Sequence, residues 1–145
     1  MDRQRFLSKS LGDNLEGTKR GIIKLLQILS ADGYKTATIV VPTIGRVKDT
    51  MLVDALGEPL SKELIKERYI TLEGGKTLKL CGQATLKNFK YEDAYLGLWA
   101  SKFMIDEIES LPTWRGLVIV SWLPGDYEEW LKKNEVTVIY DDGQG

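Results

Sequence analysis

Histidine is absent from this 145-residue chain, and cysteine occurs once, at Cys81. Without an imidazole the chain cannot build a Ser-His-Asp triad, a Cys-His dyad, a His-ligated zinc or a haem ligand set. A single thiol can close no internal disulfide and cannot supply a structural zinc site, which agrees with a reducing compartment. Acid–base chemistry would fall to carboxylates, lysine, tyrosine or Cys81. Carboxylate-held magnesium stays compatible, but no metal site is assigned. Long apolar runs are also missing. Met1-Asp2-Arg3-Gln4-Arg5-Phe6 carries basic residues with no apolar stretch behind them, which speaks against a signal peptide. The expectation is a soluble, cytoplasmic protein with no membrane partner.

What is present is ordinary for a globular domain: 43% hydrophobic and 28% charged residues, in a length that fits one core. The net charge of −1 conceals an uneven spread. Residues 1–35 hold seven bases and four acids, residues 36–90 nine and six, and residues 91–145 four and eleven. Either these parts occupy separate faces and the molecule is dipolar, or they interleave and neutralise one another.

Residues 1–16 read as a polar N-terminal arm, residues 17–142 as a single α/β domain, and residues 143–145 as a tail. Ile22, Leu25, Leu26 and Leu29 form a helical stripe that Asp32-Gly33 stops. Thr36–Val41 is a β-branched run ended by Pro42, a buried strand. Helical spacing returns at Val47, Met51, Leu52, Ala55 and Leu56, closed by Gly57-Glu58-Pro59, with a short helix over 61–66. Tyr69–Leu72 and Thr77–Leu80 flank Glu73-Gly74-Gly75-Lys76 as a β-hairpin. Residues 82–92 read as a polar loop. Ala94–Trp99 fits helix or strand; Gly97 favours strand. A helix capped by Ser101 follows, then strand Leu117–Trp122, a short helix through Tyr127, Trp130 and Leu131, and a last strand Val136–Tyr140. This β-α-β-α-β order requires parallel pairing. The fold class is therefore α/β, a Rossmann-like three-layer domain with a mainly parallel sheet and a β-hairpin at one edge.

Ligands of open parallel sheets sit beyond the carboxyl ends of the strands. The candidate ligand-binding residues are accordingly Thr43, Gly45, Arg46 and Lys48, then Trp99 and Ser101, then Trp122 and Asp126, then Asp141. Thr43–Lys48 offers a glycine, a cap and two cations at a helix start, where free amides favour an anion. It matches neither a Walker A loop nor the three-glycine dinucleotide fingerprint, and the plainer reading is a capped strand-to-helix turn with solvated cations. Gly17-Thr18-Lys19-Arg20-Gly21 is a second turn of this kind, but no recognisable strand precedes it. Asp141 and Asp142 could hold magnesium or act as a base, or simply form a chain-end turn. Trp99 and Trp122 could stack on a flat ligand or pack, whereas Trp130 lies on an apolar stripe and packs. Cys81 has no activating partner in view.

Three functions remain open. The first is a phosphorylated or nucleotide-like small ligand, an anionic molecule held at the strand tips. The second is a protein-interaction or self-assembly module forming homo-oligomers. The third is nucleic-acid binding through Lys62, Lys66, Arg68, Lys76, Lys79, Lys87 and Lys90, with Phe89 and Tyr91. Lysines there would equally guard an exposed sheet edge. No catalytic residue or cofactor is indicated, and whether the chain is an enzyme stays open.

Overall fold

A computed structural model describes residues 3–12, 14–45 and 51–143. Among them, seven strands form one sheet: β1 (Gln4–Lys9), β2 (Thr36–Val41), β3 (Tyr69–Leu72), β4 (Lys76–Gly82), β5 (Ala94–Ala100), β6 (Gly116–Ser121) and β7 (Thr137–Asp141). Five helices accompany them: α1 (Leu15–Ser30), α2 (Met51–Leu56), α3 (Glu58–Glu67), α4 (Lys102–Glu109) and α5 (Pro124–Lys133). The strand order is β3-β4-β2-β5-β6-β1-β7. Every pairing of these strands is parallel except β3 with β4, so the expected α/β fold with an edge hairpin is what forms.

The two faces of the sheet are covered by different helices. Ile22, Leu25 and Leu29 of α1, Leu52 of α2 and Leu64 of α3 pack on one face with Ile39, Leu96 and Val120. Met104, Ile105 and Ile108 of α4 and Tyr127 and Trp130 of α5 cover the other, with Tyr95, Ile119 and Leu7. The β-branched strands β2 and β6 are buried throughout or nearly so, as a two-sided parallel sheet demands.

Residues 4–9 correct the expectation of an N-terminal arm. They form β1, inserted between β6 and β7. Leu7 and Ser8 are fully buried there. The strand hides in sequence because only Phe6 and Leu7 are apolar. Its arginines reach the sheet's other end instead, where Arg3 and Arg5 lie 4.1 and 5.3 Å from the buried Trp114 ring. Arg5 also pairs with Glu109, to which Trp130 Nε1 donates at 2.9 Å. Burial alone would raise the Glu109 pKa, but the bonds from Arg5 and Trp130 outweigh it and hold the carboxyl below its usual range. The basic first segment and the acidic last one thus interleave along this half of the sheet.

Smaller departures follow local chemistry. Gly57, at φ 90°, breaks the chain between two helices, so Glu58-Pro59 opens α3 rather than closing α2. Residues 83–88, expected as loop, form a 3₁₀ stretch that buries Leu86. The last strand, β7, pairs with β1 and not with β6.

Gly17 and Gly21 lie four residues apart on the buried side of α1. A Cβ at Gly21 would sit 2.3 Å from Val120 Cγ2, so the helix rests on the sheet at a distance only glycine permits. Gly21→Ala should therefore destabilise the protein by about 1–3 kcal/mol in urea unfolding, although alanine is the better helix former. An unchanged or raised midpoint would show that α1 does not lie this close.

Candidate functional site

Parallel pairing sends β1, β2, β5, β6 and β7 out of the sheet along one edge. Toward one end of that edge, between the exits of β6 and β7, is the turn from β1 into α1. Asn14 caps the helix, its Oδ1 accepting the Gly17 N–H at 2.9 Å. Gly12 takes a left-handed φ of 62°, which this turn requires and which favours glycine. The strand that sequence reading could not find before Gly17-Thr18-Lys19-Arg20-Gly21 is β1. The helix begins earlier than expected, however, at Leu15, so those five residues lie in its first two turns.

Several donors of this turn are already engaged. Ser10 N–H donates to Ser121 Oγ at 2.9 Å, and Gly12 N–H to the Trp122 carbonyl at 2.9 Å. Leu11 N–H donates to Asp142 Oδ2 at 2.7 Å, and Asn14 Nδ2 reaches the same oxygen at 3.2 Å. A carboxylate from beyond β7 thus sits on the turn. Ser8 Oγ donates to the Gly17 carbonyl at 2.8 Å, and a Cβ on Gly17 would fall 1.9 Å from Ser10 Oγ, so the packing beneath is tight.

The start of α4 is filled in the same manner. Ser101 Oγ accepts the Met104 N–H at 3.2 Å, as its expected cap role requires, and Asp126 Oδ1 accepts the Lys102 N–H at 3.2 Å. Both helix N-termini therefore hold side-chain acceptors from this chain, which is the electrostatic preference of such ends satisfied internally.

The nine candidate residues are distributed unevenly. Thr43 and Gly45 are exposed just past β2. Arg46 and Lys48 lie outside the described residues. Trp99 is half-buried: its Nε1 donates to the buried Thr18 Oγ1 at 3.1 Å, and its ring packs against the α1 face. It holds a left-handed φ of 52° where the β5–β6 register shifts, an unusual conformation for a bulky residue. Trp122 is 37% exposed, beside Leu11 at 40% and Leu123 at 51%. Asp141 accepts the Gly143 N–H, a local turn contact. The carboxylate that reaches the β1–α1 turn belongs to its neighbour, Asp142. Among the described residues no three carboxylate or thiol groups gather as a metal-holding set.

Leu11, Gly12 and Asn14 were not among the candidates. One signal was available: Gly12 and Gly17 have the spacing of a phosphate loop's two glycines, though Thr18-Lys19 replaces the Lys-Ser/Thr that such a loop carries.

Two solved structures share this fold. One is a crystal form of the large terminase from a thermophilic bacteriophage, with a TM-score of 0.56 and 9% identity. The other is the same terminase in complex with ADP, with a TM-score of 0.58 and 10% identity. Each match covers 96% of this chain and 40% of the terminase chain. At such identity the likeness is one of fold. No family model matches the chain, and no curated protein does.

The basic middle segment is partly spent on structure. Lys76 Nζ donates to the carbonyls of Leu29 and Ala31 at 2.6 and 2.7 Å, capping the end of α1. Lys79 pairs with the buried Glu92 at 3.1 Å. No described helix is long and apolar enough to cross a membrane.

Cys81 is buried among Leu86, Tyr95 and their neighbours. Desolvation, with the charges of Glu92 and Glu107, pushes its thiol up to about 12. Native protein at pH 8 should therefore resist alkylation by iodoacetamide, while unfolding in urea should release one reactive thiol. Rapid native labelling would contradict this burial.

Proposed function

We propose that this protein binds a phosphorylated, nucleotide-like small molecule at the β1–α1 turn. The single observation that carries this reading is the Asp142 carboxylate on Leu11 N–H and Asn14 Nδ2: the turn takes an anion, and the one in place is tethered. A phosphate group would replace that carboxylate and gain the N-terminal dipole of α1, whose 16 residues point their positive end at the turn. Trp122, Leu123 and Leu11, exposed alongside, would take the flat apolar part of the ligand. Thr43 and Gly45, at the exit of β2, stand further along the same edge, separated from β1 by β5 and β6. The fold shared with a terminase whose structure holds ADP supports a nucleotide as the first ligand to try.

The reading is one of binding and assigns no reaction. Asp142 is the competitor: its displacement costs part of the ligand's gross affinity, so free nucleotide should bind weakly to the native chain.

The test is a thermal-shift titration with ADP, ATP and inorganic phosphate on the native protein and on Asp142→Asn. At about 100 times its dissociation constant a ligand stabilises by roughly 2.7 kcal/mol, a melting shift of about 5–10 °C for a chain of this size. Asp142→Asn removes the competing charge and should tighten binding by about threefold to tenfold. No shift in either protein at millimolar ligand would overturn the proposal.

A further inference from the structure

The opposite end of the molecule carries a different feature. β3 terminates the sheet, with β4 on one side and, among the described residues, no strand on the other. The Leu80 N–H donates to the Arg68 carbonyl at 2.9 Å, in the register that pairs Ile70 with Leu78 and Leu72 with Lys76. Antiparallel alternation then makes Arg68, Ile70 and Leu72 the residues bonded to β4. Tyr69 and Thr71 turn their N–H and C=O groups outward.

Edge strands are normally guarded by lysine, proline or a bulge. Tyr69-Ile70-Thr71-Leu72 has none of these, and two of its four residues are β-branched. Of the lysines near this edge, Lys76 and Lys79 sit on β4 and are committed inward, while Lys62 and Lys66 stand on α3 and not on the strand itself. Tyr69 is 54% exposed. Beside the strand runs a groove of about 630 Å³, walled by Lys62, Glu63, Lys66 and Glu67 of α3 against Tyr69 and Thr71.

The charges of that wall say what covers it. Two lysines and two glutamates alternate in pairs along α3, so neither a strongly basic nor a strongly acidic partner is favoured. The pattern is complementary to itself under a two-fold axis. Antiparallel approach about the middle of α3 sets Lys62 opposite Glu67 of a second copy and Glu63 opposite its Lys66. The same kind of axis through Ile70 sets Tyr69 opposite Thr71 of the second copy, and all four outward backbone groups then find partners. We infer that the β3 edge and the α3 groove are a self-association face, and that the partner is a second copy of this chain joined β3 to β3 into one continuous sheet.

The contact is short, at the low end of specific interfaces, so association is weak, with a dissociation constant of about 10–500 μM. The experiment is sedimentation equilibrium of the full chain from about 20 μM to 1 mM, chosen to bracket that weak interface, with circular dichroism confirming the fold of each variant. The native protein should show a monomer–dimer equilibrium. Lys62→Glu with Lys66→Glu, and separately Glu63→Lys with Glu67→Lys, should each dimerise at least about tenfold more weakly, because like charges now face each other. An equimolar mixture of these two doubly substituted proteins should associate again. Thr71→Pro deletes an outward N–H without touching the β4 ladder and should also abolish the dimer. A native protein that stays monomeric throughout would overturn the inference. So would folded charge variants that fail to associate when mixed, or a Thr71→Pro protein that dimerises as the native one does.

Discussion

The insertion of β1 between β6 and β7 is the constraint on which the rest of the molecule depends. Six residues with only two large apolar side chains become an interior parallel strand because neighbours on both sides, β6 and β7, supply backbone partners. That placement carries the following turn to the sheet's carboxyl edge and lays α1 across β5 and β6. It also stacks Ser8, Ser10 and Ser121 into a hydroxyl cluster under the turn, with Ser121 Oγ donating to the Ser10 carbonyl at 2.8 Å. Without β1 in this position, β7 would lose the strand it pairs with and Asp142 would lose the turn it reaches.

Parallel sheets gather helix N-termini at one edge, and each such end attracts negative charge. Here the chain answers that attraction itself, with Asn14 and Asp142 at α1 and with Ser101 and Asp126 at α4. The acidic C-terminal segment is thereby given a structural use near the rim, while Arg3 and Arg5 neutralise Glu109 at the far end. Trp99 adds a further constraint. Its left-handed backbone and its bond to Thr18 tie the tip of β5 to the first turn of α1, so movement of either is felt by the other.

Much of the fold was legible, and the reasons are local. β2, β5 and β6 are continuous apolar or β-branched runs, α1 and α4 carry clear stripes, and Ser101 and Pro124 mark helix starts at their ordinary positions. The shared rim followed from β-α-β spacing alone. β1 was illegible because its burial comes from pairing and from arginine stems, neither of which leaves a hydrophobic pattern. The rim's occupants were half legible for a similar reason. Trp122 and Asp126 lie where their strand tip implies, but the choice of Asp142 over Asp141 depends on the side-chain alternation at the end of β7, beside a register shift in its pairing with β1. The role of the glycines in α1 was legible only in outline: they mark the beginning of a helix, and the structure adds that Gly17 and Gly21 serve close packing on the sheet.

The most direct measurement is amide hydrogen exchange along residues 5–9. Buried in an interior strand, paired on both sides with β6 and β7, the Leu7 and Ser8 amides should exchange as slowly as those of Val118 and Ile119 in β6, only through global unfolding. Exchange of residues 5–9 as fast as in an exposed turn would mean that this segment is a free arm, and the β1–α1 turn with its bound carboxylate would not exist.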